Sequence, residues 1–596
     1  MREYATPLTI DIPTTGNLTD DVVSNGQLHP QSVAFSRKTS GGWTDVTAGE
    51  FLAQVRAVAK GLMASGIAEG DRVVILSKTR YEWTLFDYAI WFAGAASVPV
   101  YETSSASQIE WILSDSGARA VVAETAAHVA KLDEGRTRLT ALEQVWCLEG
   151  DAVAALIQLG QDVADEELER RRVTATPDSL ATLIYTSGTT GRPKGCMLTH
   201  GSFMFELGVA VEQLDDLFDL DGASTLLFLP LAHVFARIIE VGCVKARVRM
   251  AHSADIKNLL ADLGSFQPTF ILAVPRVFEK VFNTASQKAA ADGKGRIFNK
   301  AADVAIAYSH ALDTRKPGPL LRAQHALFDK LVYTKLRAAL GGACQYAVSG
   351  GAPLGERLGH FYRGIGLVVL EGYGLTETTA ALTANLPDAV KIGTVGRPLQ
   401  GTSLRIADDG ELLVKGGQVF TGYWQNEQAT REVLSQDGWF STGDLGEIDD
   451  EGFLRITGRK KEIIVTAGGK NVAPAVLEDR IRAHALVDQC IVVGDGQPFI
   501  AALVTLDAEV FASWAQAHGK PRSIADNTDD EDLRAEVAKA VDEANKAVSQ
   551  AESIRKFTIL PTAWTEEDGQ LTPSLKLKRN VVMREFRPDV EALYEH

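Results

Sequence analysis

"IYTSGTTGRPKGCMLTH", Ile184 to His200, sets three glycines, four Thr/Ser hydroxyls and a lysine between two runs that read as strands. Ordering glycine is entropically costly, so such a cluster means that the backbone must come close to something. The stretch just before it, "ATLIYTSG", is an apolar strand that runs straight into the loop. The same design recurs outward from it. "DRVVILSK" (Asp71–Lys78) and "RAVVAE" (Arg119–Glu124) read as strands, as do "TLLFLP" (Thr225–Pro230) and "TFILAVP" (Thr269–Pro275). "CQYAVSGG" (Cys344–Gly351) and "LVVLEGYG" (Leu367–Gly374) complete the set, and most of these runs end in Gly, Pro or a polar residue. With helices between them the pattern is α/β. Ligands in open α/β sheets bind beyond the carboxyl ends of the strands, so several polar strand ends are expected to line one cleft.

A chain of 596 residues predicts more than one domain. Its net charge of −17 argues against nucleic acid as a partner, because an acidic protein repels phosphate backbones. Any anionic ligand must be held by local cations and backbone N–H groups. Cys147, Cys196, Cys243, Cys344 and Cys490 are scattered and form no C-x-x-C, which speaks for a reducing compartment and against a disulfide frame or zinc site. The opening "MREYATPLTIDIPTTGN" has no apolar core of the secretory kind, and the apolar run Tyr88–Val100 is too short to span a bilayer. A cytoplasmic protein is expected, with peripheral membrane contact left open.

Residues 276–340 read as helices, and from about Lys391 the texture changes to short β segments with turns. "CIVVGD" and "IAALVTL" read as strands near the end, and apolar residues at i+3/i+4 steps from Leu533 to Ile554 predict one amphipathic helix over 533–556.

The opening loop is not a Walker A sequence, since Pro193 precedes Lys194 and Gly195 follows it. The physics is nevertheless that of a phosphate nest: exposed N–H groups, the hydroxyls of Thr186, Ser187, Thr189 and Thr190, and the Lys194 charge. "LEGYGLTETTA" (Leu370–Ala380) sets Glu371, Tyr373, Thr376 and Glu377 just past an apolar strand. Tyr373 could stack on a base and Glu377 could hold Mg²⁺; the segment alone is equally an ordinary helix start. In "FSTGDLG" (Phe440–Gly446), Asp444 is either a ribose ligand, accepting from two vicinal hydroxyls, or a turn aspartate.

Taken together and in this order, these segments resemble the adenylate-forming superfamily of acyl-CoA synthetases, luciferase-like enzymes and peptide-synthetase adenylation domains. Ser187–Gly195 meets the family's phosphate-loop pattern, Tyr373–Glu377 its Y-G-x-T-E, Thr442–Asp444 its T-G-D, and Gly458–Lys461 its hinge. "FLPLAHVFAR" (Phe228–Arg237), "VPRVFEKVFN" (Val274–Asn283), the helical insert and "LTPSLKLKRN" (Leu571–Asn580) resemble long-chain fatty acyl-CoA synthetases of the bacterial type. Leu575 stands where most of the superfamily has glycine before its terminal catalytic lysine, a departure that fits this subgroup.

The resemblance implies a large N-terminal domain of stacked α/β sheets with a β-rich subdomain (1–458), and a small mobile α+β domain (459–596). It implies ATP with Mg²⁺ and CoA as co-substrate: a fatty carboxylate becomes acyl-AMP, then the CoA thiol displaces AMP. The ATP/AMP site would comprise Thr186, Ser187, Gly188, Thr189, Thr190, Gly191 and Lys194, with Ser349, Gly350, Gly351, Ala352 and Pro353 as the adenine-side wall. Glu371, Gly372, Tyr373, Gly374, Leu375 and Thr376 would lie along the base, and Asp444 and Arg459 on the ribose. Lys576 is the choice for the catalytic lysine and Lys578 the second; Lys194, Glu377 and His233 would assist, and Thr186 and Glu377 would hold the metal. Gly468, Gly469 and Lys470 would line the CoA tunnel, and Lys461 would be the hinge. Rival readings are an acyl-AMP ligase loading a carrier protein, a medium-chain or aryl acid ligase, and a non-catalytic nucleotide-binding module. Monomer and homodimer both stay open.

Overall fold

The computed structural model describes residues 1–186, 192–314, 316–572 and 576–595. Two large sheets carry the N-terminal part. The first has the strand order Gly422–Tyr423, Lys194–Thr199, Leu180–Thr186, Ala96–Val100, Arg72–Leu76, Ala120–Ala123 and Gln144–Cys147. In the second, Arg397–Pro398 and Ala380–Ala384 lead into Val368–Leu375, Tyr346–Ser349, Phe270–Ala273, Ser224–Leu227 and Arg249–His252, with Val33–Thr39 and Gly42–Thr47 at the far edge. One hydrophobic core joins both, with Val73 and Ile75 from the first and Leu227, Phe270 and Leu272 from the second.

Helix Tyr81–Phe92, "YEWTLFDYAIWF", lies in that core and buries every residue but Glu82. A helix apolar all round has no solvent face to offer. Its one central charge, Asp87, is met by Arg237 of helix Val234–Ala246, both fully buried, with Nε–H donating to Oδ2 at 2.9 Å. The remaining Arg237 donors go to Thr182 Oγ1 and Ser97 Oγ, each at 2.6 Å.

The strands expected from the sequence are present, with ends shifted by up to three residues in either direction. Ser224–Leu227, Phe270–Ala273, Tyr346–Ser349 and Val368–Leu375 are neighbours and run parallel, so their carboxyl ends share one edge. The insert forms helices Pro275–Ala291, Gly295–Thr314, Pro319–Phe328 and Thr334–Ala339, as expected. Cys196, Cys243, Cys344 and Cys490 are free and buried among apolar neighbours.

The β-rich part is a separate sheet of Glu3–Ala5, Ser403–Ile406, Glu411–Lys415, Phe440–Ile448 and Leu454–Arg459. Its first strand, from the N-terminus, was not expected. The small C-terminal part is α+β: strands Val487–Val493, Ile500–Leu506 and Ile554–Ile559, with helices Pro474–Arg482 and Glu531–Asn545 sharing their core. Here one expectation is corrected. The amphipathic helix read over 533–556 ends at Asn545, whose side chain accepts from Ile554 N at 2.8 Å and donates to Ile554 O at 3.1 Å. That clamp turns the chain so that Ile554 opens a strand parallel to Ile500–Leu506; the helical spacing of Val548 and Ile554 arises from a turn and a strand packing on the same core. Among the described residues no helix is long and apolar enough to cross a membrane.

Candidate active site

Three structural devices bring the predicted residues together. The first is the edge of parallel strand ends. Past Tyr346–Ser349 the chain makes the turn Gly350–Pro353, pinned by Glu371: its Oε1 accepts from Leu354 N at 2.9 Å. Burial pushes the Glu371 carboxyl up to about 7. Val368–Leu375 continues antiparallel to Ala380–Ala384 with an irregularity at Tyr373/Gly374. A Cβ on Gly374 would lie 1.5 Å from the Ala380 carbonyl oxygen, so only glycine permits the approach that presents Thr376 and Glu377.

The second device is the hairpin that pairs Thr186 with Lys194 across Leu180–Thr186 and Lys194–Thr199. Trp111 Nε1–H donates to Pro193 O at 2.9 Å, and Trp424 N–H to Gly195 O at 2.8 Å, fixing the lysine's flanks. Ser187, Gly188, Thr189, Thr190 and Gly191 lie outside the described residues. Strand Gly422–Tyr423 leaves the β-rich segment and joins the edge of this sheet, beside Cys196 and Met197. Tyr423 then does two things: its hydroxyl donates to Glu377 Oε1 at 2.8 Å, and its ring centroid lies 4.9 Å from Lys194 Nζ. A cation over an aromatic face is held without losing its charge. Sequence reasoning missed Tyr423; the only local signal was an aromatic pair in "GYW", one residue after the apolar Val419–Phe420.

The third device is the hairpin Phe440–Ile448/Leu454–Arg459, which sets Asp444 opposite Arg459. Asp444 is buried, with Arg459 Nε 3.0 Å from Oδ1 and the Tyr373 hydroxyl donating to Oδ2 at 2.6 Å. Tyr373 thus binds through its hydroxyl the very carboxylate that was read as a ribose ligand.

Lys576, from the far end of the chain, reaches this group. Its Cε and Nζ come within 3.8 and 3.9 Å of where a Cβ on Gly351 (φ +82°) would sit. Lys576 is exposed to solvent, yet protein packs closely around much of it. That desolvation lowers its pKa, Arg459 adds to the effect, and Asp444 opposes it. His233 caps helix Val234–Ala246, its Nδ1 accepting from Phe235 N at 3.2 Å. Burial, and then Lys576, push His233 down to about 3, so the ring is neutral at physiological pH. With Nδ1 accepting, the proton sits on Nε2, the nitrogen left to donate. Ser349, buried, has a hydroxyl without a partner among the described residues. Lys578 instead precedes helix Arg579–Glu585, with its N–H on Gln570 O at 2.8 Å.

Two predicted groups stand apart. Gly468, Gly469 and Lys470 form the exposed turn between strands Ile464–Val465 and Asn471–Val472, where Lys470 Nζ lies 3.5 Å from Glu552. Lys461 is exposed in the single helical turn Lys460–Glu462 that follows Arg459.

The residues available for a metal are hard oxygen donors. Glu377 has one oxygen on Tyr423, and the turn Thr376–Thr378 packs against strand Lys194–Thr199. The buried Cys196 thiol lies 3.9 Å from Thr186 Oγ1, and its pKa is raised by burial and then by Glu377. Thr186 and Glu377 supply a hydroxyl and a carboxylate, the kind of hard oxygen donors that suit Mg²⁺.

Comparison with known proteins gives two family matches: AMP-binding enzyme over residues 23–424, and AMP-binding enzyme C-terminal domain over 461–596. The chain is 53% identical over 599 residues to the long-chain-fatty-acid–CoA ligase FadD15 of Mycobacterium bovis, covering 100% of both chains. The o-succinylbenzoate CoA synthetase of Bacillus subtilis, solved with ATP and magnesium ion, superposes with TM-score 0.67 at 21% identity, covering 94% of this chain and 98% of that one. A fatty acyl CoA synthetase of Mycobacterium tuberculosis gives TM-score 0.62 at 23% identity, covering 96% and 99%.

Proposed function

We propose, for a chain that belongs to the family of AMP-binding enzymes, that it activates a long-chain fatty acid with ATP and passes the acyl group to CoA. A carboxylate is a poor acyl donor because its leaving group would be oxide. In the first half-reaction a carboxylate oxygen attacks the α-phosphorus of ATP, and the bond to the bridging oxygen breaks to release pyrophosphate. In the second, the CoA thiol loses its proton and its sulfur attacks the acyl carbonyl; the carbonyl–phosphate bond breaks and AMP leaves.

In-line phosphoryl transfer is chiefly a matter of positioning and charge. Lys576 would bridge the substrate carboxylate and α-phosphate as negative charge gathers on the phosphoryl oxygens, and neutral His233 would donate from Nε2 beside it. Asp444 with Arg459 would hold the ribose, and the Glu371-pinned turn 349–353 would wall the adenine. Lys194, with its ammonium over Tyr423, would meet the outer phosphates. Thr186 and Glu377 would hold Mg²⁺, whose chemistry is to offset triphosphate charge. Lys461 as hinge and Gly468–Lys470 as the CoA-tunnel turn belong to the second half-reaction, after the small domain has rotated.

One observation carries the reading: a lysine more than two hundred residues away in sequence stands over the Gly351 strand-end turn, within electrostatic reach of His233, Asp444 and Arg459. Full-length likeness to a protein named as a long-chain-fatty-acid–CoA ligase supports the choice of acid. The test is pyrophosphate release with and without CoA across acids from acetate to long chains. Long acids should give release alone, and thioester when CoA is added. Activity restricted to aryl or short acids overturns the substrate; release with no thioester until a carrier protein is supplied overturns the acceptor.

A further inference from the structure

The helical insert carries a surface that nothing in the described chain covers. Helix Gly295–Thr314 buries Phe298, Ala301, Ala302 and Ala305 and packs on helix Glu356–Gly364. Helix Pro319–Phe328 packs on the first and buries none of its own residues. Of thirteen exposed large apolar side chains among the described residues, five lie here: Ile297, Leu312, Leu320, Leu327 and Leu331, each about half exposed or more. Leu320, Leu327 and Leu331 recur at i, i+7 and i+11, which sets them on one stripe.

The charge of this segment is opposite to that of the chain. Residues 294–337 hold nine Lys/Arg against three Asp, a net of +6 in a protein of net −17. Asp313 is bound by Arg363, and Asp329 by Arg337 at 2.7 Å. Lys294, Arg296, Lys300, Lys316, Arg322, Lys330 and Lys335 are exposed and enter no ion pair among the described residues.

We propose that the insert 294–337 is a docking face for an anionic lipid bilayer. An amphipathic helix lying in the plane of an interface puts its leucines at the headgroup boundary and its cations on lipid phosphates. A second copy of the chain fits less well, since a two-fold contact through this face would set cation against cation. The insert leaves the cleft edge at Pro275, directly after strand Phe270–Ala273. Docking would hold that edge near the bilayer, where a long-chain acid resides. This last consequence rests on the fatty-acid reading; the docking itself does not.

The test is co-sedimentation of the full chain, without substrate, with vesicles of phosphatidylcholine alone or mixed with phosphatidylglycerol. Binding is expected to the mixed vesicles, and added salt should weaken it. Each lost cation should weaken it about fivefold. Leu320→Ser with Leu327→Ser and Leu331→Ser should reduce binding roughly tenfold or more, as should Lys330→Glu with Lys335→Glu, while pyrophosphate release with a water-soluble acid stays unchanged. Vesicle binding that is absent, or equal in wild type and both variants, overturns the proposal. So does a wild-type dimer that both variants convert to monomer, which would make the face an interface between copies.

Discussion

Lys576 is a single ammonium brought to the Gly351 turn, and in the proposed reaction it would meet negative charge as that builds on the phosphoryl oxygens. Removing a preorganised donor of this kind lowers rate about 10²–10³-fold. Lys576→Ala is therefore expected to lose adenylate formation by that factor while still converting supplied acyl-AMP and CoA to thioester. Equal loss in both half-reactions of a folded variant would break the division of labour. Glu371 gives a second residue-level prediction. Its carboxyl titrates near 7 in the fold against 4.5 ordinarily, so the folded state holds the proton more tightly. Its contribution is full below the unfolded value and is lost as pH rises through about 7. Glu371→Gln keeps an acceptor for Leu354 N–H but cannot ionise. Its unfolding free energy, read from urea unfolding, should fall less than wild type's between pH 5 and pH 8, a difference of up to about 3 kcal/mol. Parallel pH profiles would refute the assignment.

At the scale of elements, helix Tyr81–Phe92 and helix Val234–Ala246 are locked by the Asp87–Arg237 pair inside the core. Breaking a buried pair leaves an uncompensated charge, at about 3–5 kcal/mol, whereas replacing both partners with apolar side chains is often close to neutral. Arg237→Met should lose stability by that amount in urea unfolding, and adding Asp87→Leu should recover most of it. A double variant no better than the single would show that the pair matters through its bonds to Ser97 and Thr182 instead. The pair left a trace in the sequence: a lone Asp in the apolar run Trp83–Phe92, and a lone Arg in "HVFARII". Each implies a buried partner, but neither names it.

Across the whole molecule, what matters is how the small domain is held with Lys576 inward. Arg276, the second residue of helix Pro275–Ala291, ion-pairs with Asp488 and donates to its carbonyl at 3.4 Å; Asp507 lies 3.7 Å away. These acids belong to the C-terminal part, so Arg276 ties it to the strand-end edge. Arg276→Ala should slow adenylate formation about tenfold, the worth of a charged hydrogen bond, without slowing thioester formation from supplied acyl-AMP. Proteolysis near Lys461 should quicken, since the exposed turn 460–462 would be less restrained. Slowing of both half-reactions alike would mean that Arg276 only stabilises the fold.

The sequence by itself determined the alternation of strands and helices, the shared edge of strand ends, the β-rich change after Lys391 and the three segments that line the cleft. Apolar periodicity and Gly/Pro punctuation act over a few residues, so they can be read without knowing the partners. What only the tertiary structure decided are pairings between residues far apart in the chain. Tyr423 crosses to another sheet to hold Glu377, and Tyr373 turns its hydroxyl to Asp444. Glu3–Ala5 pairs with Ser403–Arg405, Asn545 ends a helix that spacing would have continued, and Lys576 arrives at Gly351. A polar side chain records that it needs a partner when buried; which partner it finds depends on the packing of the whole chain.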